Sequence, residues 1–202
     1  MVAAALRLKL NLKPINLMEQ EHLRPTFLRI SPHHIVPTLV DNEFSMFESR
    51  AICIYLVEKY GKNDALYPRN PKTRATINQL IYFDMGTLFK RFYEYFMPMF
   101  YGEQPKEEKL VALNEAMGFL DHFLTDKKFA VNYRLTIADL ILLATVSTIE
   151  IVGYDFSPYE HVRNWLANLK EVAPGYDTNL EGLALMRGMM EKMQAAQSVE
   201  TS

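Results

Sequence analysis

The segment at residues 31–60, SPHHIVPTLVDNEFSMFESRAICIYLVEKY, holds the pattern that decides the fold. Short apolar stretches flank the polar triplet DNE at 41–43, which predicts two strands joined by a tight turn. A helix is expected to start at Ser49 and to end just before Gly61, because serine suits a helix start and glycine follows many helix ends. A hairpin that leads at once into a helix indicates an α/β unit.

The stretches on either side of this segment favour a single α/β domain at residues 1–65. Residues 1–11, MVAAALRLKLN, predict a helix, and residues 12–17, LKPINL, predict a strand. Residues 66–72, LYPRNPK, contain two prolines and no periodicity, so they predict a linker. At the other end of the chain, only residues 197–202 are expected to form a disordered tail.

The chain after the linker favours an all-helical domain at residues 73–196. Residues 73–102 carry apolar side chains at helical spacing, and Pro98 should end or kink the helix that they form. Further amphipathic stretches predict helices at residues 106–124, 135–153, 157–173 and 180–196. Thr136 and Asp139 have the spacing of a capping box, which specifies a helix start.

The composition excludes several classes of function. Lys and Arg number 22 against 24 Asp and Glu, so the net charge of −2 gives no reason to expect nucleic acid as a partner. The longest apolar run, LILLATV at 140–146, is far shorter than the roughly 20 residues that span a bilayer, so no membrane is expected either. Residues 1–10 lack the basic start of a secretory signal, which favours a cytoplasmic protein.

Cys53 is the only cysteine, which excludes an internal disulfide and a cysteine-based zinc site. No metal is expected. The residue lies between Ile52 and Ile54 in a predicted helix, without a neighbouring base that would lower the pKa of its thiol. We therefore expect an inert thiol that packs in the core.

Several motifs occur in the order in which one enzyme family carries them. They are HIVPTLVD at 34–41, ESRAI at 48–52, YLVEKYGK at 55–62, YFDMGTL at 82–88, TIADLILLATVST at 136–148 and PGYDTNLEG at 174–182. On these motifs the chain resembles the cytosolic glutathione S-transferases, specifically the insect delta class, over almost its whole length. The resemblance implies a thioredoxin-like N-terminal domain, an all-helical bundle as the C-terminal domain, and a homodimer. It also implies glutathione as co-substrate, hydrophobic electrophiles as second substrates and detoxification as the role, with no further cofactor.

By this resemblance, the turn before the first predicted strand forms one part of a glutathione site. Pro37 stands where the family has a cis-proline, a feature usually kept at tight turns. The backbone of Ile35 and Val36 would then meet glutathione, which pairs as an added strand, and His34 would donate to its glycine carboxylate. Without the resemblance, His33 and His34 would be ordinary loop histidines.

Glu48, Ser49 and Arg50 form the second part of the implied site, at a predicted helix N-terminus. The free N–H groups and the dipole of such a terminus attract anions. The resemblance implies that Ser49 binds the γ-glutamyl carboxylate, that Glu48 pairs with the ammonium group, and that Arg50 adds positive charge. The alternative, which the residues alone favour, is a simple helix cap with two solvated charges.

Large apolar side chains recur along the helix predicted at residues 73–102. One face would form a wall for hydrophobic electrophiles and contains Phe89, Tyr93, Met97 and Tyr101. The neighbouring stripe is expected to be core and contains Met85, Phe92 and Phe96. Because stripes at this spacing are more often core than pocket, both alternatives stay open for the first face.

The catalytic hydroxyl of the family has no counterpart in the sequence. The resemblance implies a strand and a loop with a catalytic serine ahead of the first helix, and residues 1–11 correspond to that helix. The first threonine is Thr26, the first serine Ser31 and the first tyrosine Tyr55. We therefore expect no catalytic residue at that position, an α/β domain that lacks one strand, and reduced activity.

The sequence leaves three functions open. The first is a glutathione transferase that conjugates glutathione to hydrophobic electrophiles. The second is a non-catalytic glutathione-binding or dimeric interaction module. A structural helical protein without a ligand is the weakest of the three, because the residues that would contact glutathione are intact.

Overall fold

The structure, a computed structural model, describes residues 1–131 and 133–200; for residues 100 and 193–200 it describes the backbone only. A small α/β unit comes first and a bundle of helices follows it, which confirms the fold class expected from the sequence. Across the described residues, no helix combines the length and the apolar character that crossing a bilayer requires.

The first residues are less regular than the sequence predicts. α1 covers only Val2–Ala5, and the helix predicted for residues 1–11 is therefore too long. Arg7 ends it in a left-handed conformation (φ 54°), and the Arg7 and Leu8 amides bond back to carbonyls of α1. The strand predicted for residues 12–17 is wrong. In the described part of the chain the sheet has two strands, at residues 38–41 and 44–47, and they pair with each other.

The segment that decides the fold forms the predicted hairpin and helix. The elements in this region are a 3-10 turn (Glu21–Leu23), α2 (Pro25–Leu28), β1 (Thr38–Asp41), β2 (Phe44–Phe47) and α3 (Ser49–Tyr60). β1 and β2 pair antiparallel, with Thr38 opposite Phe47, and Asn42 makes the turn between them in the left-handed region (φ 57°). Asparagine tolerates that conformation better than most residues, which is why the DNE triplet makes a tight turn.

The remaining elements in the described part of the chain are helices, as predicted. The helices are α4 (Pro71–Phe83), α5 (Phe89–Phe100), α6 (Glu107–Phe123), α7 (Ile137–Ile151), α8 (Glu160–Val172) and α9 (Tyr176–Glu200). α7 lies at the centre, since most of its side chains are buried and it packs against α4, α8 and α9. α9 reaches Glu200, so residues 197–200 continue the helix where a disordered tail was predicted, and residues 201–202 lie outside the described part.

A π-helical turn at Asp84–Leu88 joins α4 to α5 and changes which side chains face the core. A π turn holds one residue more than an α turn, so the apolar spacing of the sequence does not carry through it. Met85 was expected to be core and is 42% exposed, whereas Asp84 is completely buried. Phe92 and Phe96 are buried as predicted, and Pro98 lies in the last turn of α5.

Asp139 joins three parts of the helical bundle. Its carboxylate accepts hydrogen bonds from the Thr136 amide (2.9 Å), the Ala130 amide (2.6 Å) and the Trp165 indole N–H (3.1 Å). The predicted capping box is thereby confirmed. One carboxylate thus fixes the start of α7, the loop before it and the side chain of α8 that packs on it.

Gly175 is a position in the fold where an added methyl group is expected to be costly. It turns the chain between α8 and α9 with φ +70°, and a Cβ there would lie 2.6 Å from the Ala4 Cβ of α1. Gly175→Ala should therefore lower the free energy of unfolding by about 1–2 kcal/mol from the backbone alone, and further through the clash. Urea unfolding measures this loss.

Gly182→Ala is the matched control for that change, because Gly182 lies within α9 and a Cβ there meets no atom within 4 Å. Alanine is the better helix former, so this variant should gain about 0.5–1 kcal/mol. Equal effects of the two substitutions would contradict the close packing of α1 on the α8–α9 turn.

Candidate functional site

The open end of the hairpin brings the two predicted ligand clusters together. Because Thr38 pairs with Phe47, the residues that precede β1 and those that follow β2 lie side by side. Val36 comes just before β1 and Glu48 just after β2. The structure thus places the histidine–proline turn next to the N-terminus of α3.

Val36 offers backbone hydrogen-bonding groups that are unused. Its peptide bond to Pro37 is cis, and Val36 is 42% exposed. Within the described residues, neither the N–H nor the C=O of Val36 has a hydrogen-bond partner. A free donor and a free acceptor on one exposed residue can pair with the backbone of a bound peptide.

Two hydroxyl groups that the sequence analysis did not single out hold this turn. The Thr38 hydroxyl donates to the Ile35 carbonyl (2.6 Å), and the buried Ser31 hydroxyl accepts from the Ile35 amide (3.4 Å). These bonds use up the polar groups of Ile35 and leave those of Val36 free. A serine and a threonine seven residues apart gave no signal in the sequence, because only the folded turn brings them together.

Three histidines surround the turn, in different roles. His34 is exposed, with a positive φ of 46°, and its ring lies 6.3 Å from that of His22. His22 was not singled out from the sequence, and its Nδ1 atom is buried without a partner in the described residues. The ring of His33 packs against Phe47 at 5.0 Å. His34 and His22 therefore form the polar edge of the turn, whereas His33 has an aromatic partner.

The start of α3 presents a hydroxyl and a fixed guanidinium. Glu48 precedes the helix with an unusual backbone conformation (φ 70°), and Ser49 is the first helical residue. The Arg50 guanidinium donates to the Ser49 hydroxyl oxygen (3.2 Å). That hydroxyl keeps its own proton, so it can donate to an anion at the helix terminus, where backbone N–H groups also point.

Asp84 holds Arg50 in place and is a functional residue that sequence reasoning missed. Two nitrogens of the Arg50 guanidinium bond to Asp84 Oδ2, at 3.0 and 2.7 Å. Burial raises the pKa of the Asp84 carboxyl, and the charge of Arg50 opposes this. An aspartate inside the apolar motif YFDMGTL was a visible signal, but its partner is 34 residues away in the sequence.

The aromatic face predicted on α5 begins at this arginine. The Arg50 guanidinium lies over the Phe89 ring, 5.2 Å from its centre, and the ring of Phe89 is 6.4 Å from that of Tyr93. Tyr93 and Tyr101 are exposed, and Met97 is half-buried. The face therefore starts beside the α3 terminus and continues along α5 away from it.

Cys53 takes no part in this arrangement. Burial raises the pKa of its thiol to about 11, so the thiol stays protonated at neutral pH. Among the residues that the structure describes, no three His, Cys, Asp or Glu side chains form a group that could hold a metal ion.

Comparisons with known proteins agree with this geometry. Two family models match the chain, the glutathione S-transferase N-terminal domain at residues 1–64 and the C-terminal domain at residues 84–171. Glutathione S-transferase D7 of Drosophila melanogaster is 49% identical over 202 residues, which cover 99% of this chain and 90% of the relative. The chain belongs to the glutathione S-transferase family. It is therefore a transferase that acts on glutathione.

Solved structures place this glutathione S-transferase close to the insect delta class. A delta-class enzyme of Nilaparvata lugens is 44% identical, with a TM-score of 0.92, and the match covers 95% of this chain and 91% of that chain. A homologue of Drosophila mojavensis, solved with bound glutathione, is 32% identical with a TM-score of 0.86, over 95% and 89% of the two chains.

Proposed function

We propose that this glutathione S-transferase binds glutathione at the open end of the hairpin and conjugates it to hydrophobic electrophiles. The observation that carries the proposal is the unused N–H and C=O of Val36, placed beside the fixed pair Ser49 and Arg50. The cysteinyl backbone of glutathione would pair with Val36. Its γ-glutamyl carboxylate would accept from Ser49 and from the start of α3, and its ammonium group would pair with Glu48.

The glycine end of glutathione would lie at the histidines. His34 would donate to the glycine carboxylate, as the resemblance implies. His33 is left out, because its ring packs on Phe47. Each charged group of glutathione would thus face a group that attracts it, and the backbone between them would pair with Val36.

The electrophile would lie along α5, against Phe89, Tyr93, Met97 and Tyr101. An apolar wall next to the glutathione site lets a hydrophobic molecule lose its water shell close to the thiol. In this proposal, residues 1–65 form the glutathione-binding unit, residues 66–72 are a linker, and residues 73–196 form the helical unit that supplies this wall. As in the family, glutathione serves as co-substrate and no further cofactor takes part.

Conjugation requires the thiol of glutathione to lose its proton, because only the thiolate attacks. Residues 1–16 contain no Ser, Thr, Tyr or Cys, so α1 brings no hydroxyl to the place where the resemblance implies one. The pH dependence of the conjugation rate tests how the thiol is activated.

Replacing Ser49 or Arg50 by alanine should weaken retention on immobilised glutathione by about tenfold or more. Ser49→Ala removes a hydrogen bond to a carboxylate, and such charge-assisted bonds contribute about 1.5–3 kcal/mol. Arg50→Ala removes positive charge and also frees Asp84, so its melting curve is recorded beside the binding curve. Elution by free glutathione measures the retention.

Arg74→Ala is the control for these variants. Arg74 is also a partly buried arginine, but it bonds to Glu58 and to the Tyr67 and Pro68 carbonyls, away from the hairpin end. Its replacement should leave retention unchanged. Unchanged retention in both Ser49→Ala and Arg50→Ala would remove the site assignment.

We also propose that the protein is a cytoplasmic homodimer, as the family resemblance implies. Three exposed side chains offer apolar surface for a second copy. They are Tyr82 at the end of α4, Met85 in the π turn that follows it, and Phe44 on the hairpin. Sedimentation at micromolar concentration should give about twice the chain mass of 23.4 kDa. A single species of the chain mass would contradict the dimer.

A further inference from the structure

A second cavity lies within the helical bundle, away from the open end of the hairpin. It is enclosed by α5, the first half of α6, and the end of α7 with the loop that leads to α8. Its volume is about 360 Å³, within the range of small-molecule sites. Most of its wall is apolar and is formed by Phe92, Met99, Leu110, Leu113, Ile149 and Val152. We refer to it as the α5–α7 cavity.

The α5–α7 cavity and the proposed electrophile wall use different side chains of α5, and the rings of Phe92 and Phe89 are neighbours at 6.3 Å. Phe92, Tyr95 and Met99 follow one another at spacings of three and four residues, so they share one face of the helix and line the cavity. Phe89 and Tyr93 share another face, which begins at Arg50. The lining described includes none of the residues proposed to bind glutathione or to form the electrophile wall.

At one rim of the cavity, some hydrogen-bonding groups of Asn114, Tyr154 and Tyr159 lack partners. The Tyr159 hydroxyl donates to the Asn114 carbonyl oxygen (3.1 Å). The Tyr154 hydroxyl has one proton for two acceptors, Asn114 Oδ1 at 2.7 Å and the Tyr159 oxygen at 3.2 Å. The Asn114 side-chain N–H₂ donates to no group in the described residues. The rim thus has a spare acceptor and a spare donor side by side.

The charge of the rim selects against anions. Asp155 is the one formally charged residue that the structure places in the lining, and hydrogen bonds from the Ser157 amide and hydroxyl lower the pKa of its carboxyl. The lining described contains no Lys, Arg or His. Burial, with the hydrogen bond to Tyr159, raises the pKa of Tyr154, so that hydroxyl stays neutral at physiological pH.

We propose that the α5–α7 cavity is a binding site for a small uncharged aromatic molecule with one hydroxyl group, independent of the glutathione site. The ring would pack on Phe92, Met99 and Leu113. The hydroxyl would donate to the spare acceptor at Tyr159 and accept from the Asn114 amide, which matches a phenol-type group with one donor and one acceptor.

Calorimetric titration with 2-naphthol tests the proposal while S-hexylglutathione fills the glutathione site and the wall on α5. 2-Naphthol should still bind under these conditions. Leu110→Trp places a large side chain in the cavity and should weaken binding at least about tenfold, whereas Asn114→Ala removes one hydrogen bond and should weaken it about fivefold. Asn114 is exposed, so this second variant keeps the test valid if the first fails to fold.

Two controls test where 2-naphthol binds and whether the site rejects an anionic analogue. Tyr93→Ala alters a side chain of α5 outside the lining and should leave the affinity for 2-naphthol unchanged. Naphthalene-2-sulfonate has the same rings with an anionic group and should bind at least about tenfold more weakly. Displacement of 2-naphthol by S-hexylglutathione, loss of binding in Tyr93→Ala alone, or equal affinity for the sulfonate would overturn the proposal.

Discussion

Asp139→Ala is expected to lower the free energy of unfolding by about 4 kcal/mol. The carboxylate is completely buried and accepts from two backbone amides, one indole N–H and the Thr136 hydroxyl. Alanine leaves the three N–H donors in the protein interior without an acceptor, and each such donor costs about 1–3 kcal/mol. The loss is large because the donors belong to different elements, which separate from one another when the acceptor is gone.

Asp139→Asn removes only one of the two acceptor oxygens. Oδ1 accepts from Ala130 and Trp165, and Oδ2 accepts from Thr136. An asparagine amide keeps one acceptor oxygen and places an N–H₂ group against the remaining donors. The expected loss is about half that of the alanine variant, because one side of the network survives.

Urea unfolding measures the stability of both variants. Far-UV circular dichroism follows the helices, and the fluorescence of Trp165, the one tryptophan of the sequence, follows the packing of α8. Asp64→Ala is the control, since Asp64 also accepts a backbone amide, that of Arg69, but in an exposed turn. Its replacement should leave the unfolding curve nearly unchanged. Equal curves for Asp139→Ala and Asp64→Ala would show that the buried network does not stabilise the bundle.

The parts of the fold that the sequence predicts well are those that depend on neighbours along the chain. The DNE turn, the α3 start at Ser49 and the capping box at Thr136 all involve residues within a few positions of each other. Residues 12–17 show the opposite case, because an apolar alternation becomes a strand only when another strand bonds to it. Met85 was misplaced because the π turn shifts the face that the apolar spacing predicts.

The same distinction applies to the candidate site. His34, Ser49 and Arg50 stand in contiguous motifs, so a resemblance was enough to single them out. Asp84 and His22 act through partners on other elements, at 34 and 12 residues along the chain, and only the folded structure brings them next to Arg50 and His34. Sequence reasoning found the groups that would touch the ligand and missed the groups that hold or assist them.

Conjugation of 1-chloro-2,4-dinitrobenzene by a protein of these 202 residues is expected to be slow at pH 7 and to rise about 15-fold by pH 8.5. A thiol with an unperturbed pKa of ~8.5 is about 3% ionised at pH 7 and half ionised at pH 8.5, and only the thiolate attacks. A hydroxyl that donates to the sulfur would lower this pKa and flatten the profile. The rise with pH therefore reports whether such a hydroxyl is present.

Apart from Ser49, whose hydroxyl is proposed to bind the γ-glutamyl carboxylate, the hydroxyls along the hairpin and its neighbouring segments already have partners. The Thr38 hydroxyl donates to the Ile35 carbonyl, and Ser31, whose hydroxyl accepts from Ile35, is buried. The Ser45 hydroxyl donates to the Ile30 carbonyl at 2.6 Å, and the Tyr55 hydroxyl donates to Asp41. None of these groups is free to donate to a sulfur without breaking a bond that holds the fold.

A graft tests this reasoning with a matched control. A family-type strand and serine loop placed ahead of Met1 should raise the rate at pH 7 and flatten the profile, whereas the same graft with alanine in place of the serine should not. If the ungrafted protein is already fast at pH 7 with a flat profile, a hydroxyl of the aromatic face at Phe89, Tyr93, Met97 and Tyr101 activates the thiol instead. Tyr93→Phe and Tyr101→Phe would then identify it, because the variant that restores the steep rise with pH has lost the activating group.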